Sequence, residues 1–405
     1  MRISTSLIYD SNVATINRQQ IDVLHTQQQL STGRRVVAPS DDPVAAARAL
    51  EVSQSISHLA VQKENQGTAV DTLKSLDSQL GAIHDVLDYV RERVVQAGNS
   101  GTLTLSDRQS IATDIKAQFD SLLALANNQD ASGDYQFSGY KGDTQAFSGN
   151  LSGVSYQGDQ GVRTLLVSNS RQIPVSVNGN ELFMNIGSVN GVFTSSTSSS
   201  TAVVSDGTVS GPAAYTGDHY GIKFSSATTY DVYDTVADPG MTGAPLASGV
   251  YTSGQSIGLP DPGNAATTEI QVAISGTPST GDTFQMTPGD SSDMFSTLKQ
   301  FVVGLENTSD PGYSQMVADT LGRLDNAMEN VSRLRSQSGS RQVEVEALQN
   351  VGDDLKIQYA DRLESLVGLD YVSAISDFQQ QQTYLEAARN TFAKISGLSL
   401  FNFIS

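Results

Sequence analysis

The stretch YVSAISDFQQQQTYLEAARNTFAKISGLSLFNFIS, Tyr371 to Ser405, closes the chain and decides how it folds. Phe378, Leu385 and Phe392 stand seven residues apart, with Ile375, Ala388 and Ile395 to one side, so on a helix they form one narrow apolar stripe. Gln379 to Gln382, Thr383, Glu386, Arg389 and Asn390 make the opposite, polar face. Gly397 is expected to stop this helix, leaving Leu398, Leu400, Phe401, Phe403 and Ile404 as an apolar terminus that needs a partner. The opposite end of the chain offers one: Tyr9, Ile16, Val23 and Leu30 are also seven apart, with Val13, Gln20 and Gln27 in the neighbouring row. Two such stripes predict that the termini meet as a helical pair.

Between these ends the pattern is helix, strand, helix. Gly33 in LSTGRR suits a left-handed C-cap, with Arg34 and Arg35 near the negative end of the helix dipole. In PSDDP, Asp42 is placed to cap the next helix, Pro43 to occupy its first turn, and Asp41 to add negative charge there. Leu73, Leu80, Leu87 and Val94, with Leu76, Ile83, Val90 and Ala97, form the clearest heptad. Ser106 and Gln109 read as a capping box, and Ile111, Ile115, Phe119, Leu122 and Ala126 mark a helix folding back. GDYQFSGYKGD, VSYQGD, RTLLVS and QIPVSV then read as hairpins.

Asn178 to Asp290 differs in composition. It holds seven of the 11 prolines, a serine and threonine run at Thr194 to Thr201, and one lysine, Lys223, against ten acidic residues. Strand-like pieces (YGIKF, YDVYD, GVYTS, EIQVAI, DTFQM) recur between turn signals. Helix returns with Phe295, Leu298, Val302 and Leu305, ending near Asp310-Pro311-Gly312. It continues through Val317, Leu321, Leu324, Met328 and Val331 to Val345, Leu348, Leu355, Tyr359 and Leu366. The expected fold is α+β: a long-helix coiled-coil rod built by both chain ends, with small β-hairpins and an inserted β-rich outer domain. Its expected parts are terminal arms at 1–40 and 370–405, a helical rod at 41–178 and 291–369, and the insert at 179–290.

Composition excludes several functions. The net charge of -19 argues against nucleic acid and anionic membrane surfaces, and no run approaches a membrane span. No apolar run near the N-terminus is long enough for a signal-peptide core, so a secreted destination implies another route. Cysteine is absent, which removes disulfides and thiol chemistry. No phosphate loop, nucleophile elbow or HExxH motif occurs. His25, His58, His84 and His219 have no metal-pair spacing and read as surface residues. Asp282, Asp290 and Asp293 lack the spacing of a calcium loop and read as turn and cap residues. No catalytic residue, metal or cofactor is expected, and the chain does not read as an enzyme. Tyr215, Tyr220, Tyr230, Tyr233 and Tyr251 leave open a secreted adhesin or enzyme with its activity in the insert, although tyrosines in strands are more often packing.

RISTS, QLSTGRRVVAPSDDPVAAA, Ala97 to Asn99, YQFSGYKGD, GDTFQM and AARNTFAKISGLSLFNFI together resemble the bacterial flagellin family. PSDDP and the LSLFNFI ending are similar to its hook-filament junction branch, the flagellar hook-associated proteins. The likeness covers residues 1 to 178 and 283 to 405. It implies a structural, self-assembling subunit of the extracellular flagellum, exported unfolded by the type III route and held before that by a cytoplasmic chaperone. It also implies a ring of copies, with flagellin on one side and another hook-associated protein on the other. A filament flagellin is the alternative within the same family. The assembly interface is expected on Tyr9, Ile16, Val23, Leu30, Ile375, Phe378, Leu385, Phe392, Ile395, Leu398, Leu400, Phe401 and Phe403. Narrow stripes cannot hold long arms alone, so neighbouring copies are expected to supply the missing surface.

Overall fold

The computed structural model describes residues 5–99, 103–130, 132–187, 192–199, 201–205, 207–209, 215, 217–289, 293–307 and 312–404, excepting the side chains of 5–8, 265–266 and 395–404. The fold is α+β, helical at both ends with small antiparallel sheets between. Helices α1 (Thr5–Thr32), α2 (Pro43–Gly98) and α3 (Leu105–Ala126) lead into the hairpins β1 (Phe147–Asn150) with β2 (Gly153–Tyr156) and β3 (Thr164–Leu166) with β4 (Gln172–Pro174). A π-helical turn, Asn180–Met184, precedes, among the described residues, the strands β5 (Phe193–Thr197), β6 (Ala202–Val204), β7 (Thr208–Val209), β8 (Tyr220–Ser226), β9 (Thr229–Asp234), β10 (Ala247–Val250), β11 (Ser256–Asp261), β12 (Asn264–Gly276) and β13 (Thr283–Pro288). Helices α4 (Met294–Glu306), α5 (Tyr313–Val367) and α6 (Tyr371–Ile404) end the chain. Two compact units divide it: Met1–Asn65 with Ala347–Ser405, and Gln66–Glu346.

Within Gln66–Glu346 the heptad rows of α2 are buried throughout, from Leu73 and Leu76 to Val94 and Ala97. They pack with the buried face of α3, with Phe295, Leu298, Val302 and Leu305 of α4, and with Val317, Leu324 and Val331 of α5. Arg335 to Asp77 (3.1 Å) and Arg91 to Asp325 (2.6 Å) lie along the α2–α5 seam in antiparallel order. At its end the Tyr313 hydroxyl donates to the Ala97 carbonyl at 2.9 Å. Phe147 is the hub of an aromatic cluster, its ring 5.1 Å from Phe183 and 5.5 Å from Phe295, which in turn meets Phe119 at 5.6 Å. Because Leu182, Phe183 and Ile186 join this helical core, the chain where the insert was expected to begin belongs to the helices. Gly304 lets α4 approach α5, since a Cβ there would fall 1.8 Å from Met316 Sδ.

Three local expectations need correction. The capping box of α3 is Thr104 with Asp107, two residues before Ser106 and Gln109: Thr104 is extended and Asp107 returns a bond to its backbone N–H at 2.9 Å. Aspartate can thus fill the role assigned to glutamine. GDYQFSGYKGD is a series of turns joined by one bridge, Gln129 to Tyr135, because Asp130 and Asp159 take up its backbone N–H groups. Gly397 does not stop α6, which continues to Ile404. One interior glycine costs a helix only about 1 kcal/mol, and no proline follows it. The expected turn at Asp310-Pro311-Gly312 lies largely outside the described residues.

The strands after Val192 form a sandwich. One sheet has the order β10-β9-β8-β13-β5, the other β11-β12-β6 with β7 also on β12. Phe193, Tyr220, Ile222, Phe224, Phe284 and Met286 of the first bury against Val204, Leu259, Ile270, Val272 and Ile274 of the second. β5 runs through the serine and threonine stretch, where Thr194 and Thr197 tie to Thr287 and Thr283 of β13. Gln315 of α5 joins the sandwich to the helical core: it accepts from Val204 N at 2.8 Å and donates to Val204 O at 3.2 Å. The five tyrosines pack, the more common role of tyrosine in strands, and do not form the open surface that was the alternative. Tyr220 and Tyr233 are buried, and Tyr215, Tyr230 and Tyr251 pack against the sandwich core.

Candidate assembly interface

In the unit holding both chain ends, α1 and α6 pair antiparallel. The Tyr9 and Phe392 rings stand 5.1 Å apart at one end, and Gly33 faces Tyr371 at the other. Between them the Thr26 hydroxyl donates to Gln381 Oε1 at 2.9 Å. Ile16, Val23 and Leu30 are half-buried, as are Phe378, Leu385, Ala388 and Phe392. In the second row of each helix one residue departs from expectation. On α6 the row is Ala374, Gln381 and Ala388, leaving Ile375 exposed. Ala374 lies two full heptads before Ala388, whereas Ile375 is one residue out of that register. On α1 Val13 and Gln20 are half-buried as expected, alongside Asn12 and Gln19, but Thr26 is buried where Gln27 is exposed. The side chains of Ile395, Leu398, Leu400, Phe401 and Phe403 lie outside the described residues.

The turns joining these arms to α2 and α5 are bonded to each other. Gly33 adopts φ +69 and accepts from Leu369 N at 3.2 Å, while Arg35 N donates to Val367 O at 2.7 Å. The Arg35 side chain was expected to serve the end of α1. Instead it reaches Leu366 O, in the last turn of α5, at 2.9 Å. Asp42 caps α2 as expected, accepting from Ala45 N at 3.0 Å. Asp41 turns back to Val37 and Ala38, with His25 Nε2 at 3.2 Å. The Ala38 and Ala45 N–H groups are the chief causes holding Asp41 and Asp42 below the usual carboxylate range. Asp370 is lowered in the same way, first by the Ser373 hydroxyl. The pairing of His25 with Asp41 was not legible, because it depends on the chain doubling back after Gly33.

This unit buries few apolar side chains. Val36, Ala45, Ala49 and Val367 form one small cluster, whereas large apolar residues remain open along every helix. Ile21 and Leu24 are 64% and 58% exposed on α1, and Val372 is 81% exposed on α6. Leu50 and Val61 on α2, and Val351 and Ile357 on α5, are also exposed. Gln19 Oε1, half-buried in the arm seam, has no hydrogen-bond partner. Among the described residues no helix is long and apolar enough to cross a membrane. Exposed apolar rows of this kind are characteristic of surfaces that other chains cover.

The bacterial flagellin N-terminal helical region matches residues 3–142. Along its whole length the chain is similar to flagellar hook-associated protein 3 of Escherichia coli K12, with 27% identity over 401 residues and 99% of each chain covered. The Salmonella typhimurium protein of that name is 26% identical over the same extent. Bacillus subtilis flagellin is 28% identical over 36% of this chain and 48% of its own. A crystal structure of flagellar hook-associated protein 3 from Legionella pneumophila superposes with a TM-score of 0.69 at 28% identity, covering 78% of this chain and 98% of that one. A second Legionella pneumophila structure, described as the flagellar junction protein FlgL, gives 0.67 at 28% identity, covering 79% and 100%.

Proposed function

We propose that this protein is a structural adaptor of the bacterial flagellum that joins the hook to the filament. The observation that carries this reading is the open apolar surface of the arm unit, which neighbouring subunits would cover. Similarity along the full length to hook-associated protein 3, against about a third of the chain for flagellins, favours the junction over a filament subunit.

On this reading Tyr9, Ile16, Val23, Leu30, Phe378, Leu385 and Phe392 hold the two arms together within one subunit. Ile21, Leu24, Val372, Ile375 and the terminus from Ile395 through Leu398, Leu400, Phe401 and Phe403 meet other subunits. The partners are further copies in a ring, flagellin on one side and another hook-associated protein on the other, with an export chaperone beforehand. The site of action is outside the cell, and the role requires no catalysis. The chain then divides into terminal arms (1–40 and 370–405), a helical rod and an outer sandwich.

The test is a strain carrying Phe401→Ser with Phe403→Ser. Burying each large apolar side chain contributes about 1.5 to 3 kcal/mol, and the loss repeats in every subunit of a ring. The variant should be exported and soluble while hooks stay bare. Normal filaments on those hooks would remove the terminus from the interface.

A further inference from the structure

We propose that Asp218, Asp261 and Glu269 of the sandwich bind a calcium ion. One carboxylate oxygen from each residue lies within 4.8 Å of the others. Glu269, on β12, is only 2% exposed. Its Oε2 accepts from the buried Tyr220 hydroxyl at 2.7 Å, while its Oε1 is buried with no hydrogen-bond partner. A carboxylate oxygen removed from water and left unpaired costs several kcal/mol unless a proton or a cation meets it. The neighbouring charges that act on Glu269 are the two aspartates, and both repel it. Burial first, then these carboxylates, push it above the usual carboxylate range. Lys223, the one lysine or arginine between Asn178 and Asp290, is held at the Met241 carbonyl at 3.0 Å.

Oxygen-only donors select a hard cation. Calcium accepts irregular sets of six to eight oxygens, carboxylates among them, whereas magnesium demands a stricter octahedron and keeps more of its water. The three groups come from different places in the sandwich: Asp218 precedes β8, Asp261 ends β11, and Glu269 lies in β12. The β11–β12 register shifts at Leu259/Pro260 and Pro260/Asp261, a bulge of the kind that re-aims a side chain. Asp261 Oδ1 accepts from Gly263 N at 2.6 Å, which fixes the carboxylate in its turn. A bound ion would tie the first sheet, through β8, to the second.

The experiment uses the full chain after treatment with a chelator. The chain lacks tryptophan, so terbium luminescence can be sensitised only by tyrosine or phenylalanine, and Tyr220 adjoins the site. Terbium should light up, calcium at about 1 mM should displace it and raise Tm, and equal magnesium should do neither. Glu269→Gln keeps an acceptor for Tyr220, and Asp261→Asn keeps the turn. Each should weaken calcium binding about tenfold or more, with far-UV circular dichroism unchanged. No terbium signal and no calcium-dependent Tm shift would overturn the assignment, as would wild-type affinity in both variants or displacement by magnesium.

Discussion

Thr26 and Gln381, 355 residues apart in the chain, share a hydrogen bond of 2.9 Å across the seam of the two terminal helices. On α6 Gln381 lies between Ala374 and Ala388 in its heptad row, so this is a polar contact among apolar neighbours, the kind of position that fixes register between helices. Thr26→Val should cost about 0.5 to 1.5 kcal/mol by leaving Gln381 unpaired, whereas Thr26→Val with Gln381→Leu should recover most of that stability and lose register. Hydrogen exchange along α6 measures both effects. Equal protection in all three proteins would show that the bond does not position the arms.

Gly33 sets where α1 ends. Its φ of +69 and the 2.7 Å that would separate an added Cβ from Tyr371 Oη both oppose a side chain there. Gly33→Ala should lower stability by about 1 to 2 kcal/mol. Combining it with Tyr371→Phe removes the contact but not the backbone strain, so rescue should be partial. Full rescue would assign the whole effect to the tyrosine.

The junction between the arms and the longer helices should weaken in acid. Asp41, Asp42 and Asp370 have lowered pKa values, so they add stability above their ordinary value of 3.8 that is lost as pH falls through the lower folded values. Proteolysis near Val37 should therefore accelerate below that pH, and Asp42→Asn should already be faster at pH 6. Glu269 acts with the opposite sign: its raised pKa gives stability that is full below 4.5 and declines as pH rises through the folded value. A cleavage rate near Val37 that is flat across the acid range would contradict the capping roles.

The sandwich should be removable. Gly289 N donates to Val192 O at 2.8 Å, so its two ends are already adjacent. Joining Val192 directly to Gly289 should preserve the helical core and motility. Deleting 179–290 instead removes Leu182, Phe183 and Ile186, and the loss of the Phe183 ring alone should cost about 3 to 5 kcal/mol. Urea unfolding of the two deletions separates these outcomes, and equal stability would place the boundary elsewhere.

The heptads of α2 and α5 were legible because long rows of leucine and valine at spacings of three and four admit one reading, and that of α6 because Phe378, Leu385 and Phe392 repeat every seven residues. Their second rows were less so: Ala374 and Ile375 both flank Phe378, and only the two-heptad spacing to Ala388 selects the alanine. β5 was hidden in a serine and threonine run whose strand character comes from pairing with β13. Glu269 sits in EIQVAI and reads as an ordinary strand position. Tyr220, Asp218 and Asp261 reach it from other parts of the sandwich, a convergence that no local pattern encodes.

Electron microscopy of cells lacking only this protein tests the junction role most directly. Hooks should be present and bare, with unpolymerised flagellin in the medium, and filaments should return when the wild-type chain is supplied. Filaments of normal length growing on those hooks without it would contradict the adaptor role and make this chain a filament subunit.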